Sequence, residues 1–182
     1  MTHCDAVIAV PGSKSYTHRA LVISALAEGE SSLIHALYCE DTEYTAQALE
    51  KLGVRILREG DRLHVQGTGG RLKVGAAKIY VGDSGTSMRF LTALAALRNG
   101  RTQLDGSERM RQRPMAQLMD GLVALGAKAY SEEGEGYPPV IVESQGLMGG
   151  VARIDGGESS QFISALLMVA PQIGRASCRE RV

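Results

Sequence analysis

Three short turns in this chain combine glycine with serine or threonine and lead directly into uncharged, apolar segments. Their sequences are GSKS at residues 12–15, GDSGT at 82–86 and GGESS at 156–160. If each apolar segment is a helix, each turn lies at a helix N-terminus, where unpaired N–H groups and the helix dipole attract phosphate or carboxylate groups. Serine and threonine are also ordinary N-cap residues, so capping alone explains any single turn. Three such turns, each beside a cationic or amide side chain, favour anion binding.

The side chains beside the turns are mostly basic. Lys14 and Arg19 accompany the first turn, Arg89 follows the second, and Gln161 takes the corresponding place after the third. Ammonium and guanidinium groups next to a helix N-terminus add to its attraction for an anion.

A second basic feature is the alternation of Arg109, Arg111 and Arg113 immediately before Pro114. In an extended segment, residues two apart point the same way, so we expect the three guanidinium groups to line one side. Pro114 suits the first turn of the helix that follows. A solvated basic loop is the alternative, although three cations before a helix start are more useful next to an external anion.

The turns belong to a repeat. RFLTAL at 89–94 matches QFISAL at 161–166, a spacing of 161 − 89 = 72 residues, and Arg19 aligns with Arg89. We infer copies at about 6–77, 78–150 and 151–171, the third being truncated. A unit of roughly 72 residues is too long for the common solenoid repeats.

Within each copy the hydrophobic pattern predicts the order βαβαββ. The predicted strands are 6–10, 32–35, 54–57, 62–66, 78–81, 102–104, 128–130 and 140–142, and the predicted helices are 15–27, 42–52, 86–97, 115–125 and 162–170. The apolar segment in the first helix of each copy contains no charged residue, which is typical of a helix buried on all sides. The second helix of each copy is amphipathic. The predicted fold is therefore α/β, with repeated βαβαββ units, buried helices and outer sheets, and it is incomplete.

Composition narrows the function classes. The chain has 182 residues, of which 44% are hydrophobic, and it carries 20 basic and 20 acidic residues. This balance gives no basic field for nucleic acid, and no apolar segment is long enough to span a membrane. We expect no nucleic-acid or membrane partner and a cytoplasmic location, since the N-terminus lacks a secretory signal.

Metal and nucleophile chemistry find no support in the residue pattern. The three cysteines are widely spaced and suit reduced thiols rather than a disulfide or a zinc site. Asp41, Glu43 and His18 could act as acids or bases, but capping or solvation explains the two carboxylates, and a hydrogen-bonded structural role explains His18.

The last eleven residues, 172–182, form a segment that DNA resembling a short-read sequencing adapter would encode. We interpret them as a non-native tail, which makes Pro171 the last genuine residue. Sequencing the source DNA across this junction tests the interpretation.

Four motifs then carry a resemblance. PGSKSYTHRAL at 11–21, GDSGTSMR at 82–89, RMRQRP at 109–114 and SSQF at 159–162 resemble, in order and spacing, the 5-enolpyruvylshikimate-3-phosphate synthase family, over residues 6–171. The resemblance implies an enolpyruvyl transferase fold with two domains of three βαβαββ units each. Residues 1–171 would then be most of the N-terminal domain, and the C-terminal domain would be absent.

The same resemblance implies an activity. Family members transfer the enolpyruvyl group of phosphoenolpyruvate to the 5-hydroxyl of shikimate 3-phosphate and release phosphate, on the shikimate pathway to chorismate and the aromatic amino acids. They need no metal or organic cofactor, and the full-length protein is expected to be a monomer. The acid and base groups are expected in the missing domain, so we assign no catalytic residue here and expect the fragment alone to be inactive.

The resemblance also assigns binding roles. Phosphoenolpyruvate is expected to contact Lys14, Gly85 and Arg113, and shikimate 3-phosphate is expected to contact Ser15, Arg19, Ser159, Ser160 and Gln161. Two positions depart from the family pattern: Asp83 stands where asparagine is common, and Phe90 stands where many relatives have proline.

Two alternatives remain. The related UDP-N-acetylglucosamine enolpyruvyl transferases typically have Lys-Asn where this chain has Lys14 and Ser15, and a reactive loop cysteine that has no counterpart here. The second alternative is a non-catalytic, anion-binding repeat module, which a downstream half would not convert into an active enzyme.

Overall fold

A computed structural model describes residues 7–155 and 157–173. Its helices are α1 (Lys14–Leu26), α2 (Glu40–Lys51), α3 (Gly85–Ala95), α4 (Ala116–Ala124) and α5 (Ser160–Val169), with 3₁₀ turns at Met110–Gln112 and Ala170–Ile173. Its strands are β1 (Glu30–Ile34), β2 (Arg55–Glu59), β3 (Arg62–Gln66), β4 (Ala77–Tyr80), β5 (Asn99–Asp105), β6 (Lys128–Ser131) and β7 (Val140–Gln145).

The strands form two sheets with equivalent orders. The first is β1-β3-β2 and wholly antiparallel, and the second is β4-β5-β7-β6, in which only β4 and β5 are parallel. Strand β1 therefore corresponds to β5, β3 to β7 and β2 to β6. The second copy is a complete βαβαββ unit, which confirms the predicted fold class, and the equivalent strand orders are consistent with a duplication.

The predicted strand at 6–10 is wrong for its described part, because residues 7–10 are irregular. Val7, Ile8 and Val10 are 80–100% exposed. A short apolar segment becomes a strand only when a neighbouring edge and a packed face are available. In the second copy β4 has such an edge in β5, whereas no described residue covers residues 7–10 in the first.

The first helices of the three copies pack together at the centre, with α3 in contact with both α1 and α5. Nine of the eleven residues of α3 are buried, as predicted for a helix buried on all sides. The prediction is wrong for α1 and α5, because Tyr16, Ile23 and Leu167 are 77%, 53% and 47% exposed. No described residue covers the outer faces of these two helices, whereas both contact α3 and α1 also packs against α2 and β3.

A buried arginine joins the first copy to the second. Arg98 is 2% exposed and donates to the carbonyl oxygens of Lys73 and Gly75 at 2.8 and 2.7 Å. A further bond of 2.5 Å reaches Thr102 Oγ1 on β5. The guanidinium group therefore fixes the connecting segment before β4 against the strand that pairs with it.

The predicted non-native tail falls mostly outside the described residues, which end at 173. Within it, Gln172 Nε2 donates to the carbonyl oxygen of Leu26 at 3.1 Å. The interpretation of 172–182 as a tail stays a prediction. Among the helices that the structure describes, none has the length and apolar character needed to cross a membrane.

Candidate active site

Each of the three turns begins a helix, and each provides its N-cap. Ser13 Oγ accepts from Tyr16 N at 3.5 Å, Ser84 Oγ from Ser87 N at 3.3 Å, and Ser159 Oγ from Gln161 N at 3.3 Å. The capping interpretation therefore holds for one serine in every turn. Capping satisfies only one of the free N–H groups at each helix start, so the others remain available to an anion.

Lys14 lies in the first turn of α1 and is held by the first turn of α2. Its Nζ is 2.8 Å from Asp41 Oδ2, and its side chain is 52% exposed. The hydrogen bond to Asp41 raises the pKa of Lys14, and the charge of the same carboxylate adds to the effect. The ammonium group is therefore charged, accessible and fixed in direction.

Gly85 begins α3 and lies directly beneath Arg113. A Cβ atom at Gly85 would be 2.5 Å from Arg113 Nη1 and 3.5 Å from Arg89 Nη1. No ordinary Cβ contact is that short, so the glycine is what allows the Arg113 guanidinium to approach the helix start. The prediction that Gly85 and Arg113 belong together is consistent with this geometry.

The prediction that Arg109, Arg111 and Arg113 line one side is wrong. Residues Met110–Gln112 form a 3₁₀ turn instead of an extended segment. The turn forms because Met110 buries its side chain completely, while Ser107 Oγ accepts a bond from its N–H group at 3.2 Å. The three arginines consequently point apart.

The three arginines make different contacts. Arg111 forms a bidentate pair with Asp105, at 3.0 and 2.6 Å, and Arg109 is exposed. Arg113 alone reaches the N-terminus of α3. Of the basic segment, one arginine is therefore part of the candidate site.

Arg89 joins the site although the sequence assigned it no binding role. Its Nη1 donates to Gln161 Oε1 at 2.6 Å, and Gln161 Nε2 donates to Thr86 Oγ1 at 3.0 Å. Its guanidinium carbon lies 5.2 Å from the centre of the Phe162 ring. Burial lowers the pKa of Arg89, and the nearby charge of Arg113 lowers it further. The alignment of Arg89 with Arg19 and Gln161 was the signal that could have identified it.

Arg19 repeats this arrangement one helix earlier. Its guanidinium carbon lies 5.2 Å from the centre of the Phe90 ring, and its Nη2 donates to Ser164 Oγ at 3.2 Å. Its Nη1 also binds the carbonyl oxygen of Ser15 at 3.1 Å. In both cases the arginine of one central helix covers the phenylalanine of the next, so Phe90 supports Arg19 from below.

The predicted site residues therefore fall into two neighbouring groups. Lys14, Gly85 and Arg113 surround the N-terminus of α3, and Arg113 is close enough to influence Lys14 electrostatically. The second group lies along α1 and the start of α5: Ser15, Arg19, Ser159, Ser160 and Gln161. Within residues 7–155 and 157–173, neither Arg89 nor Arg113 has a carboxylate oxygen within salt-bridge distance, so positive charge is in excess.

The other departure from the family pattern, Asp83, faces the loop after β5. Its Oδ1 accepts a hydrogen bond from Ser107 Oγ. In the part of the chain that the structure describes, no three histidine, cysteine or acidic side chains form a candidate metal-ligand group.

Comparison with known proteins identifies the family of the chain. A sequence model described as EPSP synthase (3-phosphoshikimate 1-carboxyvinyltransferase) matches residues 1–179. The chain belongs to the EPSP synthase family. The match extends into the segment predicted as a tail, and it covers all four motifs.

Individual relatives of the chain are named 3-phosphoshikimate 1-carboxyvinyltransferase. One, from Nostoc punctiforme, is 46% identical over 169 residues, which are 92% of this chain and 40% of the relative. Another, from Methanospirillum hungatei, is 48% identical over 161 residues, covering 88% of this chain and 37% of the relative. The solved EPSP synthase of Acinetobacter baumannii matches with a TM-score of 0.79 and 30% identity, over 88% of this chain and 37% of that one. The chain thus spans about 40% of the length of its curated relatives.

A buried histidine, His18, lies beneath the candidate site. His18 is fully buried, and its Nδ1 is 2.8 Å from Thr45 Oγ1. Burial lowers the pKa of His18 to about 4, and the charges of Lys14 and Arg19 act in the same direction while Asp41 opposes them. The imidazole is therefore neutral near neutral pH.

This burial predicts acid sensitivity. The imidazole becomes protonated near pH 6.5 in the unfolded chain but only near pH 4 in the folded chain. As the pH falls below 6.5, the unfolded chain therefore binds a proton that the folded chain does not, and the free energy of unfolding decreases. Between pH 7 and pH 5 we expect this group to lower the free energy of unfolding by about 2 kcal/mol. Urea unfolding of the chain and of His18→Asn at both pH values measures it, since only the original side chain titrates. Equal pH dependence in the two proteins would contradict the prediction.

Proposed function

We propose that this chain forms the N-terminal part of an enzyme that transfers the enolpyruvyl group of phosphoenolpyruvate to the 5-hydroxyl of shikimate 3-phosphate and releases phosphate. One observation carries the proposal. Lys14, Arg89 and Arg113 converge on the N-terminus of α3, and the two guanidinium groups have no carboxylate within 4.0 Å among the described residues. Such a cationic cluster at a helix start suits a small, multiply charged anion.

Phosphoenolpyruvate fits the group around α3. It carries a phosphate and a carboxylate, and Arg113 has the planar fork that grips either group through two hydrogen bonds. Gly85 has no side chain, so the Arg113 guanidinium can lie against the first turn of α3 and an anion there can meet both. Lys14, held in place by Asp41, adds a point charge from the opposite helix.

Shikimate 3-phosphate fits the group along α1 and α5. Because Ser159 Oγ accepts its bond from Gln161 N, its own hydroxyl hydrogen is free to donate to a phosphate oxygen. Ser15 and Ser160 are exposed at the two helix starts, and Arg19 bridges the helices. Arg89 and Thr86 occupy both ends of the Gln161 amide, which favours contact of its flank with the apolar face of the sugar ring.

Catalysis follows from charge and position. Two anions repel each other in water, and a site that neutralises both while aligning them removes that barrier in advance. This chain would contribute the charge and the alignment. The groups that move protons, and further phosphoenolpyruvate contacts, would come from the C-terminal domain, so we propose that domain as the essential partner.

Two alternatives are less well supported. A UDP-N-acetylglucosamine enolpyruvyl transferase would share the fold, but the relatives described above carry the name of the shikimate 3-phosphate enzyme. A non-catalytic anion-binding module would explain the cations but not the length of the relatives, of which this chain matches only a part.

The test joins the chain to the part of the Nostoc punctiforme relative that lies beyond the matched segment. We expect phosphate release from phosphoenolpyruvate only when shikimate 3-phosphate is present. The chain alone is the matched control and should release none. A folded hybrid that binds both substrates without releasing phosphate would contradict the proposed activity, and release with UDP-N-acetylglucosamine instead would favour the related transferase.

A further inference from the structure

Helices α1 and α2 are joined by two polar contacts, one above the other. The exposed contact links Lys14 Nζ to Asp41 Oδ2 at 2.8 Å. The buried contact links His18 Nδ1 to Thr45 Oγ1, also at 2.8 Å. Positions four apart lie on the same helix face, so the buried contact lies one turn below the exposed one on both helices.

The buried contact continues into α3. Thr45 Oγ1 is 2.8 Å from Ser87 Oγ, and Ser87 Oγ is 2.6 Å from Ser84 Oγ, the N-cap of α3. Ser87 Oγ also donates to the main-chain carbonyl oxygen of Asp41 at 3.1 Å. One chain of side chains thus connects the helix that carries Lys14, the turn that carries Asp41 and the start of the helix at Gly85.

The protons in this chain can be assigned by counting. The Asp41 carbonyl can only accept, so Ser87 uses its single hydroxyl proton there. Thr45 must then donate to Ser87, which leaves Thr45 as an acceptor towards His18. All the bonds are made together only when the imidazole carries its proton on Nδ1.

The assignment also fixes the protonation state of a buried atom that has no partner in the described part of the chain. His18 Nε2 is buried and has no hydrogen-bond partner among the described residues. In the Nδ1–H tautomer it is an unprotonated lone pair, and leaving such an acceptor unpaired in the interior is unfavourable. The ring is therefore held in this state by the bond at Nδ1 and not by its Nε2 surroundings.

We propose that His18 is a positioning residue for the phosphoenolpyruvate half of the site, acting through Thr45 and Ser87. The buried chain fixes the register of α1 against α2 and of both against the α3 N-terminus. That register decides whether the Lys14 ammonium, held by Asp41, points toward Gly85 and Arg113. The inference rests on the proposed function for its substrate, but its structural content does not.

The tautomer is the first test and needs no substitution. A long-range ¹H–¹⁵N spectrum of the chain near neutral pH distinguishes a protonated ring nitrogen from an unprotonated one. We expect the His18 Nδ1 signal to be that of an N–H group and the Nε2 signal that of a bare lone pair. A protonated Nε2 would overturn the proposal, even if no variant folds.

The second test breaks the chain at Thr45. In Thr45→Val, Ser87 loses the donor that directs its proton to Asp41, so the Lys14–Asp41 contact should loosen and Lys14 should lose most of the upward shift of its pKa. The titration is followed by the NMR signal of the Lys14 side-chain carbon next to Nζ. Thr92→Val is the matched control, since that buried hydroxyl donates only to Met88 O within α3, and it should leave Lys14 unchanged.

Two substitutions at His18 distinguish a positioning role from a packing role. His18→Asn keeps an N–H donor at the place of Nδ1 and should retain the Lys14 titration, whereas His18→Leu fills the space without a donor and should lose it. If both variants, and Thr45→Val, titrate like the original chain, the positioning role is wrong. These measurements use the chain without substrate, so absence of turnover in the hybrid enzyme would leave their outcome unaffected.

Discussion

Replacing Arg98 with methionine is expected to lower the free energy of unfolding by about 4 kcal/mol, because three hydrogen bonds from a buried, charged donor are lost at once, one of them fully buried and two partly buried. The guanidinium group reaches Lys73 O, Gly75 O and Thr102 Oγ1 at 2.5–2.8 Å. Methionine fills a similar volume, so the loss reports the hydrogen bonds and not a cavity. The connecting segment before β4 would lose the group that fixes it to β5.

Arg101→Met is the control for this substitution. Arg101 lies on β5, is 44% exposed and meets Glu132 and Glu143 only at 3.7 Å. Exposed ion pairs of this kind contribute less than about 1 kcal/mol. Arg98→Lys should lie between the two, since one ammonium group cannot replace the fork. Urea unfolding followed by circular dichroism measures all three, and equal losses for Arg98→Met and Arg101→Met would contradict the role assigned to Arg98.

Most of the fold was predictable because the elements form from local patterns. The uncharged segment that became α3 and the alternating segment that became β3 were found within a residue or two of their ends. The repeat also predicted that each unit would use one buried and one amphipathic helix. What failed was the part that depends on a distant neighbour: residues 7–10 are all apolar, yet no described strand pairs with them.

In the candidate site, too, the local features were predictable from the sequence and the features that depend on distant neighbours were not. The three helix starts and the positions of Lys14, Gly85 and Arg113 followed from the motifs, but the direction of the Arg109–Arg113 segment did not, since the burial of Met110 decides it. Arg98 and the buried bonds of His18 left no pattern in the sequence. A single buried polar residue has no period, and its partners lie on other elements.

The largest functional effect is expected from Gly85→Ala, with little effect on the fold. Gly85 is the first residue of α3, where alanine is a better helix former than glycine, so the variant should fold at least as well. Its new methyl group, however, would meet Arg113 Nη1 at 2.5 Å. The flexible end of Arg113 must move away, and the helix start loses its guanidinium group.

In the hybrid enzyme we therefore expect the half-saturating concentration of phosphoenolpyruvate to rise by about tenfold or more, corresponding to at least 1.4 kcal/mol. Half-saturation by shikimate 3-phosphate should change much less, since Ser159, Ser160 and Arg19 lie along other helices. Phosphate release measured against each substrate in turn gives both values. Thermal unfolding of the variant checks that the fold is kept.

A double-mutant cycle decides whether the methyl group acts through Arg113. If Gly85→Ala works by displacing that guanidinium, Arg113→Ala alone should cost as much, and adding Gly85→Ala to it should cost almost nothing more, because residues that share one interaction are not additive. Additive losses would mean that the methyl group obstructs the substrate directly. In that case the close contact between Gly85 and Arg113 would be incidental, and the first turn of α3 would itself be the anion site.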